Sequence, residues 1–178
     1  MGEHVFWITS RAAGVTALLC ASAAVALGLL MGGRFVVGRR GDLKTLHESL
    51  ALATLGALAV HALSLLGDGY LSPSLADVTI PFVSDYHRMW TGFGIVAGWT
   101  LAALGLSYYA RGRIGPARWK RLHRFTALAW LLGVLHALGE GTDAGTAWFL
   151  VTAAAVVLPT VALLAVRLGG TAVPAEQP

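Results

Sequence analysis

Charged residues are scarce in this chain of 178 residues, making up 12% of it, against about 25% in an average soluble domain. The scarcity excludes a disordered protein, a nucleic-acid binder and an ordinary soluble enzyme. The single cysteine, Cys20, excludes a disulfide framework, a cysteine-based zinc site and an iron–sulfur cluster. The 6 prolines and 22 glycines follow no fixed period, which excludes a collagen-like repeat.

Hydrophobic residues, in contrast, make up 56% of the chain. They fall into five runs of membrane-spanning length, which predict helices at about residues 10–32, 43–66, 90–110, 120–139 and 146–167. The first run begins after an acidic residue, Glu3, and has a long apolar core, so a transmembrane helix is favoured over a signal peptide. We predict an all-α, integral membrane helical bundle that forms one domain over residues 1–178, with an outer loop at 67–88.

The basic residues are divided unequally between the two sides of these predicted helices. Eleven of the 13 lysines and arginines lie on one side, and only Arg11 and Arg88 lie on the other. The positive-inside rule therefore predicts an outside N-terminus and a cytoplasmic C-terminus in the inner or plasma membrane of a cell. The basic excess reports orientation, and no nucleic-acid partner is expected.

Four of the six histidines fall in the second and fourth predicted helices, where ionisable residues indicate function by default. His47 and His61 are 14 positions apart, and His123 and His136 are 13 apart. Each helix thus places one histidine near the cytoplasmic end and one about 20 Å further out. Two histidines that face each other in a bundle can hold a haem iron by both axial positions. We predict two b-type haems, one between His47 and His123 and one between His61 and His136.

Helix geometry supports the first interval better than the second. Fourteen residues return His61 to within about 40° of the face of His47. Thirteen residues leave His136 about 140° from the face of His123 on a straight helix, so the fourth helix needs a distortion, a tilt or ligands that reach around it. Gly133 is a candidate for a local irregularity. Two alternatives stay open for these histidines, namely hydrogen bonding within the bundle and a zinc or copper site, which the distance between levels disfavours.

The set His47-x13-His61 with His123-x12-His136 resembles the ferric reductase-like transmembrane domain superfamily. That superfamily includes ferric reductases, NADPH oxidases and the haem-binding membrane subunit of the bacterial methionine sulfoxide reductase system. The resemblance implies the same unequal intervals on two helices separated by one helix. It also implies ligands paired inner to inner and outer to outer.

Further strings support the resemblance, and some features depart from it. The string WKRLHR at 119–124 and the Leu135-His136 segment are similar to the family's second histidine helix, and the match runs from about Gly33 to Gly141. Better-known members have six helices and a fused flavin and NADPH module. This chain has five predicted helices, no GxGxxG motif after a strand, and a tail at 169–178 that is too short for such a module. The resemblance therefore places it near the short, stand-alone bacterial members.

The expected function is transmembrane electron transfer through two stacked haems. The electron donor is expected to be a separate protein or a quinol, with a flavin or a quinone as an exchangeable partner. The acceptor is expected outside, as a flavoprotein, a reductase or ferric iron, so the chain is a haem-binding subunit of an oxidoreductase. Arg121 and Arg124 near the inner histidines and Arg88 near the outer ones are candidates to bind haem propionates. The alternative that these arginines are interfacial charges stays open.

Two other functions remain open from the sequence. One is a quinol-linked cytochrome b of another family, which shares the cofactor but predicts reduction by quinol analogues. The other is a membrane scaffold or small transporter without redox activity, which predicts a colourless protein.

Overall fold

The structure, a computed structural model, describes residues 4–32 and 40–170. Arg34 and Arg39, which contribute to the predicted charge asymmetry, lie outside the described residues, and so do 171–178 of the tail. Every regular element in the described part of the chain is helical. In chain order these helices are α1 Val5–Gly32, α2 Arg40–Leu66, α3 Leu75–Thr79, α4 Arg88–Leu106, α5 Arg111–Ile114, α6 Pro116–His123, α7 Thr126–Glu140 and α8 Ala147–Gly169.

Five of these segments are long and apolar enough to cross a membrane, with α6 and α7 together forming one of them. The prediction of an all-α bundle with five spanning segments is therefore confirmed. Several helix ends differ from the predicted ones: α2 begins at Arg40 instead of about residue 43, and the fourth span begins at Pro116 instead of about residue 120. The first helix begins at Val5 instead of about residue 10, and α4 ends at Leu106 instead of about residue 110.

The chain between α4 and α6 turns sharply. Residues 107–110 form a turn in which the amides of Tyr108 and Tyr109 donate to carbonyls three residues back, at 3.2 and 3.1 Å. Gly115 then has φ +91°, which favours glycine, and Pro116 opens α6 where a missing N–H costs nothing. This end of the bundle carries a dense set of cations, and we call it the basic end: Lys44, Arg111, Arg113, Arg118, Lys120, Arg121 and Arg124. The opposite end carries residues 67–87, and we call it the loop end.

The bundle is built around α1. Helices α2, α7 and α8 all pack against α1, and α4 packs against α7. Small residues on α1 permit these close contacts, as is usual for membrane helices. The buried core joins α1, α7 and α8 through Leu18, Ala21, Trp130, Val134 and Phe149.

A buried polar network links the same three helices at the middle of the bundle. The indole Nε1 of Trp130 donates to the hydroxyl of Ser22 at 2.9 Å. The hydroxyl of Thr160 on α8 contacts the Ser22 carbonyl at 3.2 Å and the Val156 carbonyl at 2.7 Å. Trp130, Ser22 and Thr160 are all fully buried. Because lipid offers no hydrogen-bond partners, this network fixes the register of α1 against α7 and α8.

The long loop is held against the bundle by two aromatic side chains. The ring of Phe82 packs on Gly92 of α4, and the indole of Trp99 donates to the Thr79 carbonyl at the end of α3, at 2.8 Å. A capping box, in which Ser74 and Asp77 bond each other's backbone amides, starts α3. Hydrogen bonds from the Ser74 side chain and backbone hold the pKa of Asp77 below its usual value.

The Trp130 network gives a direct test of this packing. Trp130→Phe keeps most of the ring but removes the hydrogen bond to Ser22, so we expect it to lower the free energy of unfolding by about 1 kcal/mol. Reversible unfolding in detergent micelles measures the change. Trp148→Phe is the matched control, because that side chain is 51% exposed. Equal losses in the two variants would contradict a role for the network.

Candidate functional site: two histidine pairs

The structure brings the four membrane histidines together as two pairs. The ring centroids of His47 and His123 are 6.2 Å apart with an interplanar angle of 81°, at the basic end. Those of His61 and His136 are also 6.2 Å apart, at 70°, toward the loop end. All four side chains are half-buried. These are the pairs that the sequence predicts, one at each level.

The two helices that carry the pairs are not packed on each other. Helix α2 lies against α1, and α7 lies against α4, whereas α2 makes few contacts with α4 and does not pack closely on α6 or α7. The histidines thus face each other across a gap between the two halves of the bundle.

Three of the four imidazoles are anchored through Nδ1 to a backbone carbonyl of a neighbouring helix. His47 donates to Ala24 at 2.8 Å, His61 to Ser10 at 2.9 Å, and His136 to Trp90 at 2.9 Å. A carbonyl can only accept, so these bonds place the proton on Nδ1. The Nε2 atom of each ring is left with a free lone pair, which is the form that ligates a metal.

Each of these three carbonyls lies four residues before a glycine. The pairs are Ser10 with Gly14, Ala24 with Gly28, and Trp90 with Gly94. A Cβ atom added at these glycines would lie 3.1 Å from the His61 ring, 3.4 Å from the His47 ring and 2.6 Å from the His136 ring. A helical side chain covers the turn before its own Cα, so glycine leaves the carbonyl one turn earlier open to a lateral donor.

His123 is held differently. Its Nδ1 atom is buried and has no hydrogen-bond partner, although the Leu104 backbone lies near enough to interact with it. The ring of Trp119, one turn earlier on α6, stacks on the His123 ring at 4.8 Å between centroids and 22° between planes. Stacking takes the place of the carbonyl anchor at this position.

A break in the fourth span answers the geometric problem of the 13-residue interval. Helix α6 ends at His123, and α7 begins at Thr126. Across the break the amides of Phe125 and Ala127 donate three residues back, at 3.0 and 3.3 Å. This tighter winding adds about 20° per residue and turns His136 toward the face of His123. The irregularity therefore lies at residues 124–125, and Gly133 sits within the continuous helix α7.

The two histidine levels fit a metal that brings most of its own ligands. A metal ion bound by two histidines lies about 2 Å from each Nε2 atom, and each Nε2 atom lies about 1.1 Å from the centre of its ring. Two rings that share such an ion from opposite sides therefore have centroids about 6 Å apart. Among the described residues no group of three or more His, Cys, Asp or Glu side chains could hold a metal ion. A zinc ion, which takes four protein or water ligands, fits such a site poorly. Haem iron, which needs only two axial ligands from the protein, fits both levels.

The three predicted arginines lie in different surroundings. Arg121 and Arg124 are exposed beside the His47–His123 pair, and neither has an ion-pair partner among residues 4–32 and 40–170. Arg88 at the loop end donates to the carboxylate of Asp85 at 2.7 Å. The basic end thus offers free cations, whereas Arg88 is already neutralised by an acidic neighbour.

Other polar contacts at the loop end escape sequence reasoning. Arg11 on α1 forms a two-pronged ion pair with Asp143, in the turn between α7 and α8, and its Nε–Oδ2 distance is 3.0 Å. His87 contacts Glu140 at 3.2 Å. Tyr86 stacks on His87, and burial followed by the charge of Glu140 raises the pKa of that tyrosine. The only sequence signal for the Arg11 pair is a lone cation at the start of an apolar run.

The residues that anchor the histidines are also absent from the sequence predictions. One available signal is the spacing of Gly14 and Gly28 on α1, which is 14 positions and equals the spacing of His47 and His61 on α2. Because the glycines on α1 and the histidines on α2 have the same spacing and the helices are antiparallel, the same glycine–histidine contact can form at both levels. Comparison of the chain with family models, curated proteins and solved structures finds no match. The functional argument therefore depends on the geometry of the chain itself.

The glycine anchors are tested by a single added methyl group. Gly94→Ala places a Cβ 2.6 Å from the His136 ring, so we expect a loss of about 1–3 kcal/mol in unfolding free energy from overpacking. Gly98→Ala is the control one turn later, where an added Cβ meets nothing within 4 Å. That variant is expected to be neutral or more stable by up to about 1 kcal/mol. Thermal unfolding of both variants in the same detergent decides between them, and equal stability would refute the anchor.

Proposed function

We propose that the chain is a membrane cytochrome of the b type that carries electrons across the bilayer through its two histidine levels. The observation that carries the proposal is the pair of imidazole couples, each with ring centroids 6.2 Å apart, in which three of the four rings bond a carbonyl through Nδ1 and leave Nε2 unprotonated. The resemblance to the ferric reductase-like transmembrane domain superfamily, seen in the histidine spacing, supports the same conclusion. A haem at each level supplies a one-electron carrier whose potential the axial ligands and the surrounding dielectric set.

The residues of the chain divide the work of holding such a group. His47 and His123 would hold such a group at the basic end, and His61 and His136 would hold it at the loop end. Backbone carbonyls orient three of the four rings through Nδ1, which leaves the Nε2 lone pair of each of them available as a ligand. Apolar side chains of the span keep water from the two levels, and the exposed Arg121 and Arg124 are placed to bind anionic substituents at the basic end.

The charge distribution supports a direction for the electrons. With the basic end in the cytoplasm, as the positive-inside rule favours, electrons pass from the His47–His123 level toward the His61–His136 level. A membrane potential that is negative inside assists such a transfer by about 2.3 kcal/mol per 100 mV for a full crossing. The chain then works as a haem-binding subunit in the inner or plasma membrane. A separate protein or a quinol, with a flavin or quinone as exchangeable partner, supplies the electrons.

The loop end is the proposed site where the electron leaves. Residues 67–87 belong to the end of the bundle nearer the His61–His136 level, and the Phe82 and Trp99 contacts hold part of this segment alongside α4. An extracytoplasmic flavoprotein, a reductase or ferric iron would accept electrons at this surface. Two-nitrogen ligation leaves no open iron position, so it favours outer-sphere transfer over direct binding of the acceptor to the iron.

Haem counting with single histidine variants is the decisive experiment. The wild-type chain is expected to bind two low-spin haems, measured as haem per chain and by a reduced-minus-oxidised spectrum. His47→Ala or His123→Ala should remove the basic-end haem alone, and His61→Ala or His136→Ala the loop-end haem alone. His4→Ala is the control, because His4 is exposed at the chain start. A colourless wild-type protein, or two haems in every variant, would sink the proposal.

Cation placement makes a second, quantitative test. Removing a positive charge beside a haem favours its oxidised form, so Arg121→Gln with Arg124→Gln should lower the midpoint potential of the basic-end haem. The shift is expected to be a few tens of millivolts at most, because an exposed charge is worth about 1 kcal/mol or less. Arg113→Gln, on the separate short helix α5 and ten positions before His123, should shift it less. A potentiometric titration in which Arg113→Gln gives the larger shift would contradict this role.

A further inference from the structure

The two histidine levels are not equivalent in how their rings are held. At the loop end both rings donate from Nδ1 to a carbonyl, and His61 also lies 3.0 Å from the hydroxyl of Ser10. At the basic end His47 donates to Ala24, but the buried Nδ1 of His123 has no hydrogen-bond partner. A buried N–H group without an acceptor is unusual, and a neighbouring group must account for it.

The carbonyl nearest to that role is already engaged. Helix α4 ends at Leu106, and the amide of Tyr108 bonds to Gly105, so the Leu104 carbonyl has no helical partner four residues later. The hydroxyl of Ser107 donates to this carbonyl at 2.6 Å. The same hydroxyl accepts the indole Nε1 of Trp119 at 3.0 Å.

These contacts form a continuous chain of donors and acceptors. Trp119 donates to Ser107, which donates to Leu104, and the face of the Trp119 ring stacks on His123. The hydrogen bond from Nε1 therefore fixes the orientation of the Trp119 indole, whose ring stacks on the His123 imidazole. Tyr108 also contacts the Trp119 ring in an edge arrangement, at 5.9 Å between ring centroids. The arrangement orients His123 by stacking and leaves its N–H undonated.

We propose that Trp119 is the positioning residue of His123 and that it makes the two levels unequal in ligand basicity. This inference rests on the proposed function. An imidazole that donates its Nδ1–H to a carbonyl becomes a more basic ligand, which favours the oxidised metal. His123 lacks that donation, so the basic-end level is the more easily reduced of the two. The outward step between the levels is then uphill in midpoint potential, and the membrane potential and removal of the electron by the acceptor drive it. Ser107 contributes to the difference, because its hydroxyl takes one of the two acceptor positions of the Leu104 carbonyl and makes that oxygen a weaker acceptor for His123.

The experiment examines each level alone. Trp119→Leu and Trp119→Phe are made in a His136→Ala background, which keeps only the basic-end pair, and in a His47→Ala background, which keeps only the loop-end pair. Trp119→Leu should weaken haem binding at the basic end about 10-fold or more, the usual cost of losing a group that orients a ligand. Trp119→Phe keeps a stacking ring and should retain binding. Neither variant should change binding or the midpoint potential in the loop-end background.

Two further variants separate positioning from general packing. Ser107→Ala removes the competing donor from the Leu104 carbonyl and makes it a better acceptor for His123, so the basic-end midpoint potential should fall toward that of the loop-end level. Trp99→Leu is the matched control, because its half-exposed indole bonds only the Thr79 carbonyl and touches no membrane histidine. An equal response of both levels to Trp119→Leu, or a response equal to that of Trp99→Leu, would overturn the proposal. So would a basic-end potential below that of the loop end in the wild-type chain.

A measurement without haem distinguishes this failure from failure of the proposed function. In the haem-free chain, nitrogen-15 spectra of labelled histidines report the tautomer and environment of each ring. Trp119→Leu should shift the His123 signals and leave those of His61 and His136 in place. An unchanged His123 spectrum would refute the positioning role even if the chain bound no haem, whereas a colourless wild-type chain with the expected shift would refute only the electron-transfer function.

Discussion

An imidazole N–H buried in a membrane is stabilised by an acceptor, and for three of the four membrane histidines in this bundle the acceptor is a main-chain carbonyl of a neighbouring helix. A helix normally uses each carbonyl for its own amide four residues later, and the side chain at that later position covers it. Glycine at Gly14, Gly28 and Gly94 removes the cover. The carbonyl oxygen keeps its hydrogen bond within the helix, and its second lone pair can accept a hydrogen bond from a neighbouring helix. The placement of the histidines depends on this exposure, because lipid supplies no other partner.

The same constraint explains why α1 is the central helix. Its Gly14 and Gly28 are as far apart as His61 and His47 on α2, so the antiparallel pair repeats one contact at both levels. A shift of α1 along α2 by one turn would break both contacts together. The Trp130–Ser22 bond fixes α1 against α7, which carries His136. Helix α1 thus sets the register of both histidine helices although it supplies no histidine itself.

The sequence predicted the coarse features because lipid imposes them on composition. Runs of about 20 apolar residues predict membrane-spanning helices. Four histidines within such runs predict a binding site, including the pairing of His47 with His123 and of His61 with His136. The anchors were not predictable in the same way. A carbonyl leaves no mark in the residue type that bears it, and Ala24 and Trp90 contribute only their backbone. The break after His123 has no glycine or proline at it, so periodicity alone suggested Gly133 instead.

Three departures from regular helix lie together at the basic end of the bundle, and the membrane gives a reason for this. The break at residues 124–125, the early end of α4 and the short helix α5 lie at the basic end. Irregular backbone exposes carbonyls that need hydrogen-bond donors. The Thr126 hydroxyl is one such donor, and it bonds the main-chain carbonyl of His123 at 2.7 Å. Headgroups and water lie near this end, whereas unsatisfied groups deeper in the hydrocarbon would cost several kcal/mol each. His123, the histidine that is held by stacking and not by a carbonyl, therefore lies at the end of the bundle where irregular backbone is tolerated. His136, which lies within the continuous helix α7, keeps the hydrogen bond from Nδ1 to a carbonyl.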